Sequence, residues 1–528
     1  MPFATARTIA LQGAVGHLID VQADVSSGMV GTTLVGRPDV ALNEARDRCR
    51  MAVVNSGLSW PTTRRVTILL SPADLVKRGT HFDLAIAISV LAAAGLVPRQ
   101  PLEDALFLGE LTLSGGLRAV PGVLPMTMAG AGRGVRRVFV PETQAREAAM
   151  VPGLAVLGMR SLAQVVAELR GEEVPEAPPV APMSGSRLLT WRGQGRVEEL
   201  DLSDLRGMSD ARYAVEVAAA GGHHLLLSGP KGAGKTSIAE RIPGLLPDLA
   251  AEEALELTAI HSLAGALEPG DGMLLRPPFI APHHDASKAS LVGGGSGRVR
   301  PGEISRAHAG VLFLDEFPLF AADVIEALRQ PLESGEVTIA RGEESATFPA
   351  RGMVVLACNP CPCGNFHPDA RMSGCVCAEP SRRHYRRKLT GPLVDRIDIT
   401  RHILPLRLHE ARDPLAVPES SASVRRRVEQ ARARQAERFW GRAWRLNGQA
   451  PGPVLTREWP LTAAAQRQLE DEVFGGRISR RGATRVHRLA WTVADLHGPD
   501  QPGEEELDVA LRLRTGAPLP VAVLERAR

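Results

Sequence analysis

Leu225-Leu226-Leu227-Ser228-Gly229-Pro230-Lys231-Gly232-Ala233-Gly234-Lys235-Thr236-Ser237 is the stretch from which the chain is read. Three leucines and a serine make a short strand, the glycines turn the chain, and Lys235-Thr236-Ser237 open a helix. The stretch fits the phosphate-loop pattern G-x-x-x-x-G-K-[ST]. Gly229, Pro230, Lys231, Gly232, Ala233 and Gly234 form a turn whose backbone N–H groups face phosphate oxygens. Lys235 brings a positive charge to the β and γ oxygens, and Thr236, followed by Ser237, offers a hydroxyl to Mg²⁺. The expected ligands are ATP and Mg²⁺. The 528 residues include only five lysines, and Lys231 and Lys235 both lie in this loop.

Downstream, Gly310-Val311-Leu312-Phe313-Leu314 reads as an apolar strand ending in Asp315 and Glu316. Hydrolysis needs a metal clamp and an oriented water, so Asp315 is expected to hold Mg²⁺ through water and Glu316 to polarise the nucleophile. A third apolar strand, Met353 to Cys358, ends at Asn359, a neutral hydrogen-bonder placed to sense the γ-phosphate. In Gly391-Pro392-Leu393-Val394-Asp395-Arg396, Arg396 is a candidate arginine finger for a neighbouring subunit, which implies a ring; an ion pair with Asp395 or Asp398 is the plainer account. Arg481 is the first candidate for a lid arginine that senses nucleotide, and Arg485 the second. Asp201 to Gly207, leading into a helix over Ala211–Ala220, is the expected wrap around the adenine.

Cys361-Pro362-Cys363 and Cys375-Val376-Cys377 supply four thiolates suited to a tetrahedral Zn²⁺ site that staples the loop leaving Asn359. Reduced thiols, or a mixed set with His367, are the alternatives. Such a cluster points to a reducing compartment. The N-terminus shows no basic region followed by a long apolar core, and the longest apolar run, Leu84–Val97, is shorter than the roughly 20 residues of a membrane span. A cytoplasmic protein without membrane partners is expected. The net charge of +3 by itself decides nothing about nucleic acid.

In the first 170 residues, alternation over Gly16–Val35 and Arg64–Leu70 and the run Ala105–Leu113 read as strands. So does Arg137–Val140. Val40–Asn55, Phe82–Ala94 and Leu124–Ala131 read as helices. Lys77-Arg78-Gly79-Thr80-His81-Phe82-Asp83 and Gly109-Glu110-Leu111-Thr112-Leu113-Ser114-Gly115-Gly116-Leu117 resemble landmarks of the Lon-protease catalytic domain. That family uses a serine-lysine dyad; here His81 and Leu124 stand at the two positions, which implies a scaffold without peptidase chemistry. Pro175-Glu176-Ala177-Pro178-Pro179 marks a linker.

The phosphate loop, Ala281-Pro282-His283-His284, Gly293-Gly294-Gly295-Ser296, Pro301-Gly302-Glu303-Ile304-Ser305, the Asp315-Glu316 strand and Asn359-Pro360-Cys361-Pro362-Cys363-Gly364 occur in order. Together they resemble the magnesium-chelatase-like AAA+ proteins of the YifB/ComM family over nearly the whole chain. The resemblance implies a homo-oligomeric, hexameric ATPase and DNA helicase that promotes branch migration on single-stranded or branched DNA in natural transformation.

The expected fold is α/β. A Lon-protease-like α/β domain fills residues 1–170 and a proline-rich linker 171–198. A P-loop core with a parallel sheet follows over 199–400, with the cysteine insert at 361–377, and a magnesium-chelatase-like helical lid over 401–528. Within the lid, a strand over His402–Leu408 and helices over Ser423–Ala443, Thr462–Glu472 and Val486–Leu496 are expected, with its arginines paired mostly along their own helix. Lys288, Arg298, Arg300 and the run Arg382-Arg383-His384-Tyr385-Arg386-Arg387-Lys388 are candidate phosphate contacts for DNA, against an ordinary surface insertion and a solvated basic helix. His283 and His284 are read as structural before metal-ligating. Two other functions share the motor: the ATPase subunit of a metal chelatase, and a chaperone or protein-assembly platform. The chain shows no D-x-S-x-S metal-adhesion motif to favour chelation.

Overall fold

The computed structural model describes residues 3–180, 200–267, 271–295, 299–341, 344–366, 374–389, 391, 393–404 and 419–526. Ser296, Arg298, His367, Leu408 and the linker beyond residue 180 lie outside them.

The first domain contains strands β1 (Phe3–Gln12), β2 (Val15–Ser26), β3 (Gly31–Val35), β4 (Arg65–Ser71) and β5 (Ala105–Phe107). A hairpin of β6 (Glu110–Leu111) and β7 (Leu117–Arg118) follows, then β8 (Arg137–Pro141) and β9 (Ala155–Met159). Seven of them form one mixed sheet in the order β3-β4-β2-β1-β5-β8-β9. Ile19, Val21, Ala23 and Val25 of β2 and Val66, Ile68 and Leu70 of β4 alternate into the core against the almost wholly buried helix Asp83–Ala93. The run Ala105–Leu113 is two strands because Gly109 turns away from the sheet, donating to the His81 carbonyl at 3.2 Å, while Leu108 still donates to Phe139 of β8 at 3.0 Å. The helix expected over Val40–Asn55 breaks at Glu44. The start of the linker is tied down, since Gln164 and Arg160 donate to the carbonyls of Pro175 and Ala177.

The second sheet is parallel throughout. Its strands are β10 (Leu225–Ser228) and β11 (Phe279–Ile280), then, after the short pair β12 (Gly293–Gly294) and β13 (Arg300–Pro301), β14 (Val311–Leu314). The hairpin β15 (Glu336–Arg341) and β16 (Glu344–Pro349) precedes β17 (Met353–Cys358) and β18 (Ile399–His402). The order is β11-β14-β17-β10-β18. Both faces are covered, which is why the strands read as unbroken apolar runs. Leu225 and Leu227 share one core with the C-terminal helices, while Leu226, Leu312, Leu314 and Leu356 face the other.

The C-terminal region is helical. Val424, Val428 and Ala431 of helix Ser421–Arg438 and Val486, Leu489 and Val493 of helix Arg480–His497 join the core of helix Ser209–Gly221. A strand runs over Ile399–His402, and of the span His402–Leu408 expected as strand, residues 405–408 lie outside the described residues. Buried Ile397 and Ile399 flank Asp398, which accepts the His224 N–H at 2.9 Å and so sets the register with β10. The arginines of helix Ser421–Arg438 pair mainly across elements: Arg427 with Glu216 and Glu419, Arg438 with Asp495, Arg432 with the Ala219 carbonyl. Arg425–Glu429 is an intrahelical pair.

The first domain docks on the second. Glu147 accepts the Ser262 hydroxyl at 2.5 Å and the Leu124 N–H at 2.9 Å, and Leu124 packs with Val151 and Ala259. The β1–β2 turn presses on the β15–β16 hairpin so closely that a Cβ on Gly13 would stand 2.7 Å from that of Ala346.

Asp398 also accepts Arg485 at 2.5 Å, fixing the lid helix to the sheet. Burial pushes the Asp398 carboxyl up, but Arg485 and the two histidines more than offset it and hold it well below its usual range. Asp398→Asn, which leaves Arg485 buried without a countercharge, should lower the unfolding free energy by about 3–5 kcal/mol in chemical denaturation. A depressed carboxyl stabilises above its unfolded value, so the wild-type advantage should be complete above about pH 3.9 and shrink only as pH falls below it.

Candidate active site

The strand order places three strand ends side by side. Ser228 of β10 is in register with Cys358 of β17, and Leu356 of β17 with Leu314 of β14, so Gly229, Asn359 and Asp315 emerge along one edge of the sheet. Gly234 closes the phosphate loop at φ +88°, a left-handed conformation open to glycine without steric cost, and Lys235 follows as the first residue of helix Lys235–Ala239. Lys235 is 8% exposed, and its Nζ donates to the carbonyls of Gly229 and Pro230 at 2.7 and 2.8 Å and to Asn359 Oδ1 at 3.0 Å. Burial lowers its pKa.

Thr236 Oγ1 donates to Asp315 Oδ2 at 2.9 Å, which joins the two residues expected at Mg²⁺. Asp315 Oδ1 accepts the Glu316 N–H at 2.8 Å, and Glu316 takes the left-handed conformation at φ 47°, a strained choice for a non-glycine residue. That backbone twist turns its carboxylate back toward Asn359, whose Nδ2 lies 3.4 Å from Glu316 Oε1. A carboxylate and a hydroxyl in contact are a donor set for a hard cation of the Mg²⁺ type. The lysine, the second acid and the amide beside them suit phosphate binding and orientation of water.

The cysteine insert adjoins this edge. Cys361, Cys363, Cys375 and Cys377 are free thiols whose sulfurs all lie within 4.8 Å of one another. Three of the separations are 3.3, 3.7 and 3.6 Å. Four sulfurs at about 2.3 Å from one ion stand about 3.8 Å apart in a tetrahedron, so the cluster has the dimensions of a zinc site.

Three family models of the magnesium chelatase subunit ChlI match in sequence order, over residues 21–144, 201–411 and, for the C-terminal part, 418–514. An uncharacterised protein of Mycobacterium tuberculosis is 45% identical over 518 residues, 98% of this chain and 100% of its own length. YifB of Escherichia coli is 38% identical over 516 residues, 97% of each chain. The competence protein ComM of Haemophilus influenzae is 36% identical over 515 residues, 97% of this chain and 98% of ComM. The chain belongs to the magnesium-chelatase-like YifB/ComM family. It has that family's AAA+ ATPase architecture, and no helix among its described residues is long and apolar enough to cross a membrane.

The remaining candidates of this YifB/ComM-family chain lie in different places. Arg396 and Arg481 converge on Glu333, at 2.9 and 3.2 Å, and Arg481 also faces Asp395 at 3.6 Å. Arg485 is the buried partner of Asp398. His283 and His284 sit with Asp285 at the surface, and Lys288 and Arg300 are exposed. In the first domain, His81 is buried with Nε2 2.8 Å from the Ile9 carbonyl, and Leu124 is fully buried against the motor.

Sequence reasoning missed Glu333, whose role is set by two arginines far from it in the chain, and the Asp398 network. It also placed Tyr385 in a basic run without foreseeing its burial. The signal for Tyr385 was its rarity, as one of two tyrosines, on an otherwise arginine-rich helix.

Lys235→Ala removes the charge that bridges loop and Asn359 and should abolish binding of a fluorescent ATP analogue. Glu316→Gln keeps the side-chain shape and should bind the analogue normally while lowering ATP turnover by about 100-fold or more.

Proposed function

We propose that this chain is an ATP-hydrolysing ring motor acting on single-stranded or branched DNA, a branch-migration helicase in natural transformation or recombination. The observation that carries the reading is the division of the site. Lys235, Thr236, Asp315, Glu316 and Asn359 form one hydrogen-bonded group on the chain, whereas Arg396 and Arg481 gather around Glu333. An arginine finger that serves a neighbouring copy belongs in such a separate group. The ring, taken as a hexamer from the family resemblance, therefore completes each ATP site with Arg396 from the next copy, and Arg481 reports from the lid.

The DNA part rests on the relationship to a protein named for competence and on exposed cations, Lys288, Arg300, Arg383, Arg386 and Arg387, on the motor surface. Exposed cations of this kind suit a sequence-independent, salt-sensitive grip on phosphates. Cys361, Cys363, Cys375 and Cys377 hold Zn²⁺ as a structural staple, and ATP with Mg²⁺ is bound at Lys235, Thr236 and Asp315. The first domain is a Lon-like scaffold without a nucleophile, with His81 and Leu124 at the dyad positions. The chelatase relationship carries a second reading, an ATPase that drives insertion of a metal ion into a porphyrin.

ATP hydrolysis measured with and without single-stranded and branched DNA separates these. DNA should stimulate turnover, and the stimulation should fade steeply with salt. Turnover indifferent to DNA but raised by a porphyrin substrate would support chelation, and turnover raised by unfolded protein would support a chaperone. Mixing tests the ring: Arg396→Ala and Lys235→Ala subunits, each inactive alone, should together recover part of the wild-type rate.

A further inference from the structure

A second concavity lies at the opposite edge of the motor sheet from the phosphate loop. It is a cleft of about 960 Å³, and Gly310 and Met353 in its lining stand where β14 and β17 begin. Asn359 lies beyond the far end of β17, roughly 20 Å from Met353 at the rise of a strand, and the cleft shares no residue with the nucleotide edge. Three units wall it. The first domain supplies Pro125 and Met128, the motor Leu249, and the lid Arg432, Ala436 and Leu446. The volume is that of a pocket for a small organic molecule.

The charged groups of the wall are matched among themselves, with one exception. Asp248 pairs with Arg276 and Arg425 at 3.1 and 3.0 Å, Glu252 with Arg445 at 3.0 Å, and Glu256 with His308 at 3.1 Å. Glu253 accepts the Ala250 N–H at 3.3 Å and stands 3.8 Å from Arg445. Arg442 reaches Glu458 at 2.7 Å, and Arg351 reaches Glu336 at 3.8 Å.

Arg432 has no such carboxylate. Its Nε and Nη2 both donate to the Ala219 carbonyl, near the end of helix Ser209–Gly221, at 3.0 and 2.7 Å. Its Nη1 has no acceptor among the described residues. Burial, only partly offset by Glu253, pushes its pKa down to about 10, which leaves it a cation at neutral pH. The Ala219 carbonyl thus fixes the place of a guanidinium that keeps an N–H to spare, the arrangement that binds an anionic oxygen. Apolar walls around a single unmatched cation call for a ligand with an apolar body and one anionic head.

We propose that this cleft binds a small amphiphilic anion, with Arg432 holding its carboxylate or phosphate head and Met128, Leu249 and Leu446 lying against its apolar body. The proposal is independent of the ATPase and DNA readings, since the cleft uses none of their residues. A ligand so placed touches first domain, motor and lid at once.

The experiment titrates the full chain with 8-anilinonaphthalene-1-sulfonate, an apolar body with one anionic head, and follows its fluorescence. Binding should saturate at one site. Arg432→Gln keeps an N–H for the Ala219 carbonyl but loses the charge, and should weaken binding about tenfold or more; Arg432→Lys should stay within about threefold of wild type. Ala436 is exposed one helical turn beyond Arg432, so Ala436→Trp should fill the cleft and abolish binding with Arg432 intact. Phe474→Ser, which removes an 83% exposed ring outside the cleft, should change nothing. Decanoate and decyl phosphate should displace the dye, the better competitor identifying the head, while decanol and a non-hydrolysable ATP analogue should not.

Unchanged affinity in Arg432→Gln or in Ala436→Trp overturns the proposal. So does a loss in Phe474→Ser, displacement by the ATP analogue, or decanol competing as well as the two anions.

Discussion

Lys235 and Asn359 meet at 3.0 Å across the gap between two neighbouring strand ends, and the remaining site geometry hangs on that meeting. It exists because β17 lies between β10 and β14. Were β10 beside β14 directly, the lysine would face the acids with no neutral group between. Inserting β17 puts an amide there, able to accept from an ammonium with one end and donate to a carboxylate with the other. Lys235, Asn359 and Glu316 thus form a short relay of charge-assisted hydrogen bonds in which moving one end is felt at the other.

The same sheet is braced from its opposite side. Asp398 joins β18, the His224 backbone at the start of β10 and Arg485 of the lid helix, a buried charge pair whose members leave each other no cheap alternative. The lid and the nucleotide strand therefore share one core, Leu225 with Val486 and Leu489. Glu333, by contrast, holds two arginines at a partly exposed carboxylate, where ion pairs are weak and exchangeable. Firm attachment inside and loose attachment at the rim let Arg396 and Arg481 change partners while the core stays intact.

The legible parts of the sequence were those with a local cause. Leu225–Leu227, Val311–Leu314 and Met353–Cys358 announce parallel strands because both faces are covered, and the candidate site residues stand at their ends. Spacing also grouped the four cysteines. What failed was decided at long range. The register of β18 depends on Asp398 finding His224, and the arginines of helix Ser421–Arg438 answer to Glu216, Asp495 and the Ala219 carbonyl instead of to their own helix. Breaks such as Glu44 and Leu108–Gly109 are small departures from periodicity that tertiary packing imposes.

The pairing of β10 with β17 and β18 has a consequence for biosynthesis. Leu225 pairs with Val355 and Ile399, so the strand that carries the phosphate loop leaves the ribosome long before either neighbour. The first domain has its own core and can fold by then. The leucine strand, by contrast, must wait, apolar and unpaired, for roughly ten seconds at ordinary elongation rates. High contact order makes its closure slow as well. The nucleotide pocket is thus among the last parts of the nascent chain to be sealed, and its strand the segment most in need of a holdase during translation.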